Sequence, residues 1–135
     1  MLNEARDIFI EKLKQNEYKI KDMENYEGFA YFIITDRGTF CITFKGDWYH
    51  GYGMHFNEDN DWGQVASKDI LLECLKRGVA LFSFVLPSLN IYCIDPKVFI
   101  GKGRAVKHLE NHLAVNWKEF KNFNQFLEEE YLEWC

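Results

Sequence analysis

Residues Gly28–Asp47, GFAYFIITDRGTFCITFKGD, constrain this chain more than any other stretch. Two apolar segments rich in Phe, Ile, Thr and Tyr meet at Asp36-Arg37-Gly38, and the second ends in Lys45. Runs of this composition joined by a tight Asp/Gly turn form a β-hairpin, which predicts strands over about Phe29–Thr35 and Thr39–Lys45. A lone two-stranded ribbon is marginal in water, so the rest of the chain must supply further strands and a covering layer.

The flanks do so. From Asn3 to Asn16, Ala5, Ile8, Phe9, Ile10 and Leu13 recur near a 3.6-residue period, the pattern of an amphipathic helix. Tyr18–Ile20 reads as a short edge strand and Lys21–Glu27 as a polar turn. Beyond the hairpin, a strand is expected around Tyr49–Phe56, then an acidic loop. Ser67 is placed to cap a helix through Ile70, Leu71, Cys74 and Leu75 that Gly78 stops. Val79–Val85, VALFSFV, is almost continuously apolar, as a strand covered on both faces is, and marks the sheet centre. Ile91–Ile94 is the next strand, ended by Asp95-Pro96. Asn116 and Glu119 resemble a capping box, opening a C-terminal helix with Trp117, Phe120, Phe123, Leu127 and Tyr131 on one face.

These elements predict an α/β (α+β) single domain spanning 1–135. A central mixed sheet of about five or six strands is flanked by helices in αβββαββ order, with a C-terminal helix. Twelve Phe, seven Tyr and four Trp in 135 residues exceed what such a core needs, so some aromatics are expected on a surface or in a groove. The net charge of −5 disfavours non-specific attraction to a polyanion, and any nucleic-acid role must rest on a local patch. No apolar run reaches the ~18 residues of a membrane span, and MLNEARD carries no leader pattern, so a cytoplasmic setting without membrane contact is expected. Cys41, Cys74 and Cys93 sit in apolar segments without CxxC spacing and read as reduced core thiols, while Cys135 ends the chain.

Ala5–Phe99 resembles the PD-(D/E)XK, restriction-endonuclease-like superfamily, and within it the small archaeal Holliday junction resolvases. The likeness rests on the N-terminal helix, the hairpin ending in Lys45, the Ser-led helix finishing in RGV, and the paired segments LFSFV and NIYCIDP. It divides the chain into a nuclease-like core, 1–99, and an extension, 100–135, of basic turn and helix. In that family an Asp in the first hairpin strand and a Glu two residues before the Lys hold Mg²⁺, because a hard cation takes oxygen ligands and i/i+2 spacing puts side chains on one sheet face. Here the lysine position is Lys45, but Thr43 and Ala30 stand where the carboxylates belong. A rebuilt site would draw on Lys45, Asp36 and Asp47, with Glu4 or Glu11 from the first helix. Asp36 also reads as a turn residue and Asp47 as a strand-end cap.

Three other constellations bear on function. Trp48, Tyr49, Tyr52, Glu58, Asp59, Asp61 and Trp62 combine contact area with negative charge and suit a partner-binding segment. Lys97, Lys102, Arg104 and Lys107 form a positive stretch, and GKGR at Gly101–Arg104 within it reads as a basic turn suited to a phosphate or an acidic surface. His108 and His112 in HLENH are a weak metal pair if helical, and His50 and His55 face opposite ways on one strand. The expected function is a catalytically degenerate nuclease-fold protein that binds a macromolecule, of inhibitor, immunity or counter-defence type, or associated with nucleic acid. The alternative is an active Mg²⁺-dependent nuclease, a hydrolase, with a migrated carboxylate. No cofactor is expected unless that alternative holds, and the partner classes left open are a protein, a nucleic acid or a second copy of the chain.

Overall fold

The computed structural model describes residues 2–44, 63–85, 90–107 and 109–134, with side chains to residue 130. Its elements are α1 (Leu2–Gln15), β1 (Ile20–Tyr26), β2 (Ala30–Thr35), β3 (Gly38–Phe44), β4 (Gly63–Ser67), α2 (Lys68–Lys76), β5 (Leu81–Val85) and β6 (Ile91–Ile94). They continue with α3 (Pro96–Lys102), β7 (Arg104–Val106), β8 (Leu109–Asn116), a 3₁₀ turn (Trp117–Glu119), β9 (Lys121–Asn122) and α4 (Phe123–Trp134). Six strands form a mixed sheet in the order β1-β2-β3-β5-β6-β9, in which β3 and β5 run parallel and the other neighbours antiparallel. The chain is an α+β single domain, as its sequence predicts. Among the described residues no helix is long and apolar enough to cross a membrane.

Period-2 alternation sorts the central strands onto two cores. Ile33, Phe40, Ile42, Leu81 and Val85 pack with Ala5, Phe9 and Leu13 of α1 and with Phe123 and Leu127 of α4. Phe32, Cys41, Phe82 and Phe84 face Ile70, Leu71 and Cys74 of α2 and Phe99 of α3. All five residues of β5 are buried, which places it centrally, as VALFSFV implies. Eight phenylalanines, at 9, 32, 40, 82, 84, 99, 120 and 123, are buried. Among the described residues Tyr18 is buried with them, whereas Phe29 is 43% exposed. Cys41, Cys74 and Cys93 are buried free thiols, and burial pushes Cys93 up to about 12.

Local signals set several boundaries. The Ser67 side chain accepts the Asp69 N–H at 3.0 Å, capping α2. At the other end Gly78, at φ 66°, lets its own N–H reach the Leu75 carbonyl and that of Val79 reach Cys74, a Schellman motif that satisfies two end carbonyls. Arg77 beside it bonds Glu73 at 2.9 Å and Glu24 of β1 at 3.2 Å and lies 4.0 Å from the Phe32 ring centroid.

Four sequence expectations are corrected. Lys21–Tyr26 is strand rather than turn: among the described residues β1 is an exposed edge paired only with β2, and charged residues are tolerated where both faces meet solvent. Gly101–Arg104 is not a free-standing turn: Asp95 accepts the Lys97 N–H and caps a helix with Pro96 in its first turn that takes in Gly101 and Lys102, and Arg104 opens β7 directly after Gly103. His112 lies on a strand, β8, not a helix. The Asn116 cap serves only a 3₁₀ turn, and α4 begins at Phe123, where the Asn122 side chain accepts the Asn124 N–H. A second sheet, β4-β8-β7, adds to the architecture that the sequence predicts.

Candidate binding site at the end of the central sheet

The β2–β3 ladder pairs Tyr31 with Ile42, so the next step along it brings Ala30 opposite Thr43. The Thr43 hydroxyl donates to the Phe29 carbonyl at 2.6 Å, closing this end of the hairpin. Ala30 and Thr43 together line a cavity of about 550 Å³, within the range that accommodates a small ligand or a partner's side chain. Phe82 and Phe84 contribute from β5, Val65 and Ala66 from β4, Ile70 from α2, and Tyr26 and Phe29 from the β1–β2 connection. The wall is chiefly aromatic and aliphatic.

Its polar groups are few. Glu27, Ser67, Asp69 and His112 also line it. The Ser67 hydroxyl is committed to the α2 cap, and a His112 ring nitrogen lies 2.6 Å from the Glu110 carbonyl. Burial, with the carboxylates of Glu27, Glu73 and Asp69 nearby, pushes the Tyr26 phenol upward. Among the described residues no three His, Cys, Asp or Glu side chains gather as a metal site.

Asp36 stands at the opposite end of the hairpin, six residues or roughly 20 Å along the strand from Ala30. Its carboxylate accepts the Lys19 N–H at 2.9 Å, and its own N–H donates to the Lys19 carbonyl at 3.1 Å. The Lys19 N–H, aided by Arg37, holds it below the usual carboxylate range. This is a turn residue fastening β2 to the chain entering β1. Glu4 and Glu11 are exposed on α1. Lys45, Asp47, Trp48, Tyr49, Tyr52, Glu58, Asp59, Asp61 and Trp62 lie outside the described residues, as do His50, His55 and His108.

Of the basic residues, Lys97 and Lys107 are exposed on the first turn of α3 and just after β7. Lys102 and Arg104 instead share a groove with Lys118. Sequence reasoning missed Glu27, Asp69 and His112 as neighbours and Lys118 as a partner of the basic residues. No local spacing links them; the sheet pairings do.

No family model, curated protein or solved structure matches this chain.

Proposed function

We propose that this chain is a catalytically degenerate nuclease-fold protein that binds a macromolecular partner, in an inhibitor, immunity or counter-defence role, at the cavity under the β2–β3 hairpin. One observation carries the reading: the two positions where the resembled family keeps its metal-binding carboxylates are Ala30 and Thr43, and both line a cavity whose wall is chiefly aromatic and aliphatic. Such a wall favours desolvation of an apolar group over coordination of a hard cation. The order α1-β1-β2-β3-β4-α2-β5-β6, with β4 set aside in the second sheet and β3 parallel to β5, supports the scaffold. A cytoplasmic setting fits the three buried free thiols.

The test is occlusion. Thr43 is half-buried at the cavity wall, so Thr43→Trp fills the space without adding charge. Wild-type protein used as bait is expected to retain a partner that Thr43→Trp loses at least tenfold, with the two melting within a few degrees of each other. Equal recovery by both baits would refute binding at this cavity.

A second reading, an Mg²⁺-dependent nuclease with migrated carboxylates, is favoured by Glu27 and Asp69, which line the same cavity. Both offer the oxygen ligands that Mg²⁺ takes. With no third ligand beside them among the described residues, the donor set is sparse, and this reading ranks second.

A further inference from the structure

The second sheet builds a basic groove that is independent of the cavity. Lys102 ends α3 and Arg104 begins β7, separated by Gly103 alone. A Cβ on Gly103 would lie 2.7 Å from the Phe99 carbonyl oxygen and 3.0 Å from the Leu113 Cβ, so only glycine lets the helix end sit this close to β8. The β7–β8 ladder then sets Arg104 opposite Ala114. From the other direction β8 runs into the 3₁₀ turn, where the Asn116 side chain accepts the Lys118 N–H at 3.0 Å and fixes the backbone that carries Lys118.

Lys102, Arg104 and Lys118 converge with Asn116 and Glu119 on a groove of about 640 Å³ floored by the end of β8. Among the described residues Glu119 is the single acid in the lining, and its carboxylate engages Lys102 at 3.4 Å. Among the described residues Arg104 and Lys118 have no carboxylate partner. The groove thus carries two cations in excess on a chain whose net charge is −5. An Arg fork beside a Lys point charge is the pairing that recognises phosphate oxygens. A concave site with several cations suits a linear polyanion whose charges recur along its length.

We propose that this groove binds the phosphodiester backbone of a nucleic-acid strand through Arg104 and Lys118, with Lys102 restrained by Glu119. Because Glu119 opposes the ligand's charge, its removal should strengthen binding, a gain that damage to the fold cannot imitate.

The experiment measures binding of a fluorescein-labelled twelve-nucleotide single strand by anisotropy across a salt series, using the full chain, Arg104→Ala/Lys118→Ala, and Glu119→Gln. Expected are wild-type binding whose logarithm falls linearly with log salt, and at least tenfold weaker binding by the double variant with a salt slope smaller by about 1.4, roughly 0.7 for each single-strand phosphate no longer neutralised. Glu119→Gln should tighten binding roughly two- to fivefold, the scale of one exposed ion pair. Equal affinity of wild type and double variant, or weaker binding by Glu119→Gln at an unchanged melting temperature, would overturn the proposal. So would displacement of the strand by a polyglutamate peptide at lower concentration than by unlabelled oligonucleotide, since that outcome assigns the groove to an acidic protein.

Discussion

Phe40→Ala is expected to cost about 3–5 kcal/mol, the range for truncating a large buried aromatic. Phe40 is 1% exposed. Its ring packs edge-on against Phe9 of α1 at 5.8 Å, Tyr18 at 5.9 Å, Phe123 of α4 at 6.5 Å and Phe126 at 6.4 Å. It therefore joins both helices of one layer to the sheet, and neighbours anchored in four places cannot all collapse into the space left behind. The loss is a large share of a typical total of about 5–15 kcal/mol. At about 4 °C per kcal/mol it corresponds to a melting temperature lower by roughly 12–20 °C. Phe40→Leu should lose far less, because it refills most of the volume. A drop under about 3 °C for Phe40→Ala would show that this ring cluster does not hold the helices to the sheet.

Gly63→Ala is expected to be nearly as damaging although it adds a single methyl group. The new Cβ would fall 1.8 Å from the Val115 carbonyl oxygen, 2.6 Å from the Trp117 nitrogen and 2.7 Å from the Asn116 carbonyl carbon. All three are backbone atoms, so no side chain can rotate away and β4 must part from β8. Overpacking of this kind costs about 3 kcal/mol or more. Gly28→Ala makes the useful comparison, since a Cβ there meets nothing within 4 Å and only its φ of +83° is unfavourable; about 1 kcal/mol is expected. Denaturant titration of both variants checks the order, and equal losses would contradict the close approach of β4 and β8.

The hairpin, the two caps of α2 and the central strand are legible in the sequence because each is set by local chemistry. A tight Asp-Arg-Gly turn, a Ser67 side chain with an N–H in reach, and a run of apolar residues buried on both faces report their own environment. The second sheet is not legible. β4 is five residues, GQVAS, with no alternation, and its partner β8 is separated from it by α2, β5, β6, α3 and β7. The histidines of HLENH draw attention to a helical spacing, yet β8 is held as a strand by ladders to β4 and β7 on its two sides. For the same reason, Ala30 and Thr43 can be read in the sequence against the pattern of the resembled family, whereas the cavity they line cannot. Its walls come from positions 2 to 112 of the chain, and only the assembled layers bring them together. The basic groove repeats the lesson: four cations between 97 and 107 stand out in sequence, but packing keeps two of them and recruits Lys118.

Whether this chain binds in place of cleaving is decided by one assay. Wild-type protein and Lys45→Ala are incubated with Mg²⁺ or Mn²⁺ and labelled single- and double-stranded DNA and RNA, with cleavage followed to completion. No cleavage by wild type above the Lys45→Ala background is expected on any substrate. Metal-dependent cleavage that Lys45→Ala abolishes would contradict that expectation and establish the site as a working nuclease.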